Sequence, residues 1–122
     1  MGRPLSTRER EVLEAMIQHA DDSQLTGPDA VSPARRQRWL EQAAFTGAGR
    51  RCVCGTCPTI DLEDRSEAPL VAGPRVVLSA SSPGALLLLF VDAGRLSCLE
   101  LAPLDADASI LQFPPVEAIR FG

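Results

Sequence analysis

The chain has 122 residues, 45% apolar and 23% charged, with a formal charge of −4 at pH 7. That length excludes a multidomain enzyme but is enough to bury a core, and the apolar fraction excludes a disordered chain. The longest unbroken apolar run, Ala85 to Val91, is far short of the roughly 20 residues a membrane helix needs, so no membrane partner is expected.

All 12 basic residues are Arg, and the chain has no Lys, Asn or Tyr, as a GC-rich bacterial genome would produce. The Arg excess is therefore partly genomic. The negative charge argues against nucleic acid as a partner, because such binding rests on a broad cationic surface that releases counterions. Gly2 and Ser6 fit a myristoylation pattern interrupted by Pro4, which is read as accidental. No apolar signal region follows the first residues, so a cytoplasmic address is expected. In that reducing setting the 4 cysteines read as thiols or metal ligands, not as a disulfide framework.

In chain order, Ser6 and Glu9 stand at capping-box spacing, and Val12, Leu13, Met16, Ile17 and Ala20 recur at helical period, predicting a helix over about Thr7 to Ala20. Asp21 to Ala30 reads as a loop. Ser32 and Pro33 open a second helix running to about Phe45. The helical part thus covers about 5–46, and a sheet part about 50–122, of one domain.

Cys52 to Cys54, Thr59 to Glu63, Val76 to Ala80, Ala85 to Val91 and Leu96 to Leu101 read as extended, the last two flanking the hairpin turn Asp92-Ala93-Gly94. Glu67 to Pro74 reads as a linker, and the segment from Ile110 to Phe121 as a short strand and packed tail. The fold class expected is α+β, with two N-terminal helices on an antiparallel sheet of about four strands. Leu86, Leu88 and Phe90 fall on one face of their strand and Leu87, Leu89 and Val91 on the other, so both faces call for cover. The helices supply one. The tail, a second copy in a homodimer, or another protein would supply the other, with Leu87, Leu89 and Val91 expected on that side.

Cys52-Val53-Cys54-Gly55-Thr56-Cys57-Pro58 brings three thiols into six residues. Zinc takes four thiolates or imidazoles in a tetrahedron, and a two-residue gap lets a tight turn aim both sulfurs at one ion. Cys98 is the candidate fourth ligand, since the single histidine, His19, lies in the first helix. No second pair is present, so the cluster reads first as packed thiols and second as a zinc site. Cys54-Gly55-Thr56-Cys57 also resembles the thioredoxin C-x-x-C. In that motif the pair sits at a helix N-terminus, whereas Pro58 to Leu62 looks extended, and the match is read as accidental. With no histidine placed as a base and no glycine-rich phosphate loop, neither catalytic residues nor an enzymatic activity are expected, and no cofactor beyond zinc. Arg35, Arg36 and Arg38 concentrate positive charge on the second helix, and Arg35 and Trp39 lie one turn apart, so that Arg35, Arg36 and Trp39 form a candidate recognition patch.

Leu5 to Leu13 resembles the opening of a LuxR-type helix-turn-helix, but no recognition helix follows and DNA binding is not implied. Gly49 to Leu62, with the hairpin Leu88 to Glu100, resembles a group of small uncharacterised actinobacterial proteins. That resemblance implies a helical N-terminus joined to a sheet in a bacterial cytoplasm, with Thr56 as an insertion in the cysteine turn. It names no activity. The functional expectation is a non-catalytic protein-binding protein, such as an immunity protein that neutralises a toxin; the alternative is a small zinc-binding domain using Cys52, Cys54 and Cys57.

Overall fold

A computed structural model describes residues 2–21, 31–64, 70, 75–105 and 107–121. The fold is α+β. Helices α1 (Thr7–His19) and α2 (Pro33–Ala43) pack on a sheet of six strands: β1 (Arg3–Pro4), β2 (Thr46–Arg51), β3 (Ile60–Asp64), β4 (Val76–Ser82), β5 (Ala85–Asp92) and β6 (Arg95–Pro103). The sheet order is β1-β2-β3-β6-β5-β4, antiparallel throughout. The loop expected over Asp21 to Ala30 and the linker over Glu67 to Pro74 lie outside the described residues, apart from Asp21 and Leu70.

Two strands exceed the expected count, and both have a composition that hides them. β2 carries Gly47 and Gly49, which lower strand propensity and break period-two apolar alternation. At Gly49 a Cβ would lie 3.2 Å from the Glu63 side chain, which would have to shift by a few tenths of an ångström to admit it. β1 is two residues long and ends in proline, which an edge strand tolerates. α2 accordingly stops at Ala43, and the chain turns through Ala44 and Phe45 into β2.

α1 begins with a complete capping box. The Ser6 Oγ accepts from the Glu9 N–H at 3.1 Å, and the Glu9 carboxylate accepts from the Ser6 N–H at 2.8 Å. The same carboxylate takes both guanidinium nitrogens of Arg3 at 2.8 Å, so the helix start and β1 are one unit. Arg3, then the Ser6 N–H, holds the Glu9 carboxyl below the usual carboxylate range.

The helices cover one face of the sheet. Val12, Leu13, Met16 and Ile17 of α1 and Trp39 and Ala43 of α2 meet Ile60, Leu78, Leu87, Leu89, Leu99 and Leu101 from four strands. Leu87, Leu89 and Val91 therefore belong to the core, at 0%, 0% and 1% exposure, and correct the expectation that they face a partner. The pleat leaves the other set, Leu86, Leu88 and Phe90, on the outer face, where Leu86 is 43% exposed. The C-terminal tail does not cover them. Phe113 and Ile119 are buried in the core, with a short 3₁₀ helix (Val116–Ala118) between them, and Arg120 pairs with Ser81 on the outer edge of β4.

Fully burying an aliphatic side chain contributes roughly 1.5–3 kcal/mol, and emptying its site adds a cavity penalty. Leu89→Ala should then cost about 2–5 kcal/mol in urea unfolding, whereas Leu86→Ala, on the outer face, should stay within about 0.5 kcal/mol. Equal effects would show that the two faces have been exchanged.

Candidate metal centre

The cysteine cluster sits at the tip of the β2–β3 hairpin, in a turn and not in the strand expected for Cys52 to Cys54. Arg51 pairs with Ile60 across a register shift, and the Cys52 N–H donates to the Thr59 carbonyl at 3.0 Å, closing a six-residue loop from Val53 to Pro58. Gly55 adopts φ +71° with nothing within 4 Å of a Cβ position, so the left-handed backbone, not crowding, selects glycine there. The Ile110 N–H donates to the Thr56 carbonyl at 2.8 Å, and Pro58 is buried. The loop is thus fixed at its base by β-pairing and at its side by the tail.

This geometry collects three sulfurs. The Sγ atoms of Cys52, Cys54 and Cys57 all lie within 4.8 Å of one another, with Cys54 and Cys57 3.2 Å apart. Cys54 is exposed and the other two are half-buried. The Thr56 hydroxyl and the Thr56 N–H, each 3.4 Å from the Cys54 Sγ, draw the Cys54 thiol down to about 6, with the thiols of Cys57 and Cys52 as further donors. Cys52 moves the other way. The Cys54 N–H favours its thiolate, but sharing hydrogen bonds with the Cys54 and Cys57 side chains outweighs this and pushes it up. The hydrogen bonds of the turn thus favour the thiolate at Cys54 and disfavour it at Cys52.

Cys98 is not part of the centre. It lies on β6 opposite Phe90 and Asp61, outside the three-sulfur group. Burial, then the Asp61 and Glu100 carboxylates, pushes its thiol up to about 11. The reason is topological: β6 pairs with β3 along the body of the sheet, whereas the thiol turn projects from the end of β3.

A cavity of about 230 Å³, lined by Arg51, Cys52, Gly55, Cys57 and Leu111, opens beside the sulfurs. Arg51 and Leu111 also line a neighbouring cavity of about 480 Å³ that reaches Arg3, Arg8 and Phe113. Thr56, Arg51 and Leu111 were not legible as site residues. Thr56 between two cysteines is the signal that was available; the tail residue has none in sequence, because its approach depends on the course of residues 104–113.

The candidate recognition patch resolves into structural roles. The Arg35 guanidinium lies 5.3 Å from the Trp39 ring centre, as the helical spacing predicts, but Trp39 is only 3% exposed. Arg36 donates to the carbonyls of Ile17 and Ala20 at 2.9 Å. It thereby satisfies the C-terminal end of α1. His19 is exposed at that end, its ring centre 5.5 Å from that of Phe121.

Comparison with known protein families, curated proteins and solved structures finds no match to this chain.

The contrast between Cys54 and Cys98 is directly measurable. At pH 7, iodoacetamide should modify Cys54 first and Cys98 last, followed by mass spectrometry of the peptides. The Cys54 rate should fall to half as pH drops to about 6, because the thiolate is the nucleophile. Thr56→Val removes one of the two donors and should move that midpoint upward. A midpoint near that of an unperturbed thiol, about 8.5, would contradict the hydrogen-bond arrangement.

Proposed function

We propose that the chain is a small zinc-binding domain in which Cys52, Cys54 and Cys57 hold the ion. The observation that carries this reading is the convergence of three sulfurs within 4.8 Å at a hairpin tip. Zinc–sulfur bonds of about 2.3 Å in a tetrahedron set sulfurs about 3.8 Å apart, a spacing the turn reaches by small rotations about its side-chain bonds. Three thiolates and one divalent ion leave a single negative charge, beside which Arg51 lines the adjoining cavity. With Cys98 elsewhere, the fourth position is left to water or to a ligand entering from that cavity. An incomplete protein ligand set of this kind is the pattern of sites that keep an open position, whereas structural sites are closed by four protein ligands.

Metal-free protein should bind one zinc per chain in a competition titration with a chromophoric chelator. Cys54→Ser, Cys57→Ser and Cys52→Ser should each weaken binding by at least about tenfold, the scale of a lost supporting contact and a lower bound for a lost ligand, while Cys98→Ser leaves it unchanged. The core lies away from the turn, so removing zinc should leave the far-ultraviolet spectrum intact. Equal affinity for the wild type and Cys54→Ser would dismiss the site.

A second reading, association with another protein, is supported by the outer sheet face. Leu86, Leu88 and Phe90 run along β5 there; Glu100 stands opposite Leu88 on the neighbouring β6, and Asp61 stands on β3, one strand further, opposite Cys98. An apolar strip beside carboxylates suits a partner whose apolar contact surface has a basic rim, in keeping with a net charge of −4. A toxin held by an immunity protein would be one such partner. Under this reading Leu88→Glu abolishes capture of a basic partner by pull-down without lowering the melting temperature, and Leu89→Glu unfolds the chain instead. Retained capture by Leu88→Glu would move the interface off this face.

A further inference from the structure

The thiol turn holds one pair of sulfurs much closer than a metal tetrahedron requires. Cys54 and Cys57 are 3.2 Å apart, against a limit of 4.8 Å for the whole trio. Their two-residue spacing resembles that of redox dithiols, but no helix follows: the chain passes through Pro58 and Thr59 directly into β3. Thr56, between the two cysteines, supplies the local donors that a helix N-terminus would otherwise give, with its N–H and hydroxyl both on the Cys54 sulfur. Access is open on the same side. Cys54 is exposed, Val53 before it is fully exposed, and no atom lies within 4 Å of where a Cβ of Gly55 would be. A small disulfide can therefore reach the Cys54 Sγ without displacing packed side chains.

We propose that Cys54 and Cys57 form a reversible two-electron dithiol–disulfide couple that exchanges with small-molecule disulfides of the glutathione class. The Cys54 sulfur attacks one sulfur of the small disulfide, breaking its S–S bond and releasing one small thiol, which takes up the proton that Cys54 gives to solvent. Cys57 then attacks the Cys54 sulfur of the mixed disulfide, forms the Cys54–Cys57 bond and releases the second small thiol, protonated by the proton Cys57 loses. Two electrons pass from the protein to the small disulfide, whose two halves leave as thiols. Cys52 is left as a thiol and Cys98, outside the group, takes no part. A consequence that rests on the zinc reading is that closure removes two of the three metal ligands, so oxidation releases the ion.

The test uses the full reduced chain, freed of metal with a chelator, treated with oxidised glutathione and quenched with N-ethylmaleimide. Cleavage after Arg51 and Arg65 leaves Cys52, Cys54 and Cys57 in one peptide, so fragment ions identify the pairing. The expected result is loss of two hydrogens with the bond between Cys54 and Cys57 in the wild type and in Cys52→Ser. Cys54→Ser and Cys57→Ser should lose this closure, Cys57→Ser stopping at a glutathione adduct on Cys54. A wild type that stops at the adduct, closes through Cys52, or oxidises no faster than Cys54→Ser overturns the couple. The same sample loaded with zinc separates the two readings. Zinc binding without closure of the metal-free chain refutes the couple alone, and closure in a chain that binds no zinc upholds the couple and refutes only the metal.

Discussion

The chemistry of this chain depends on one backbone hydrogen bond, from the Cys52 N–H to the Thr59 carbonyl at 3.0 Å. It prolongs the β2–β3 pairing past the irregularity between Ala48 and Arg51 and closes a loop of only six residues. A loop that short has few conformations left to lose, which is what allows three thiols to be held together without a core around them. Without that bond the loop would run from Cys52 to Thr59, closed only by the Arg51–Ile60 pair, and the sulfurs would sit on a longer, looser segment. The Ile110 N–H on the Thr56 carbonyl, at 2.8 Å, then fixes the far side of the loop against the tail.

The body to which the hairpin is attached is held by arginines used as backbone caps. Arg10, on α1, donates to the Ala43 carbonyl at 2.6 Å and the Thr46 carbonyl at 3.4 Å, at the end of α2. Arg36, on α2, donates to the Ile17 and Ala20 carbonyls at the end of α1. Each helix thus supplies the cation that satisfies the other's terminal carbonyls and complements its dipole. Gln42 ties the pair to the sheet, donating to the Gly94 carbonyl at 2.7 Å and accepting from the Leu96 N–H at 3.3 Å. Of the twelve basic residues, all arginine, Arg3, Arg8, Arg10 and Arg36 each bond a carboxylate or backbone carbonyls of their own fold.

Elements with strong local signals were legible in sequence. The capping box at Ser6 and Glu9, the proline-led α2 and the β5–β6 hairpin all rest on short-range rules of period, cap and turn. β2 was hidden by its glycines, which lower strand propensity and break the period-two pattern that reveals a strand in sequence. The two faces of β5 were correctly separated but assigned the wrong way round. Alternation fixes which residues share a face and says nothing about which face meets the helices. That choice follows from the β5–β6 register, which puts Leu89 opposite Leu99 and both against α1 and α2. Likewise the three-thiol cluster was visible as spacing, but the exclusion of Cys98 was a matter of strand order, which pairs β3 with β6 along the sheet and leaves the turn beyond its end.

Placing the thiols outside the core separates two properties that metal-dependent small domains usually couple. Where a metal supplies the core, ligand loss is unfolding, because binding energy is folding energy. Among the described residues, 24 apolar ones are buried without the turn, and none of the three cysteines is among them. Under the zinc reading, loss of the ion from the turn would then be expected to leave the body of the fold in place. Its one described hydrogen-bonded link to the C-terminal segment is Thr56 to Ile110, and Leu111, next in sequence, lines the cavity beside the sulfurs. Two residues on, the Phe113 carbonyl accepts from Arg8 at 3.0 Å on the first turn of α1, so the segment beside the loop is itself tied to the first helix. The three thiols thus lie outside the buried core and yet are joined to it through the tail, an arrangement that fits the proposed centre, whose ligand could be lost while the protein stays folded.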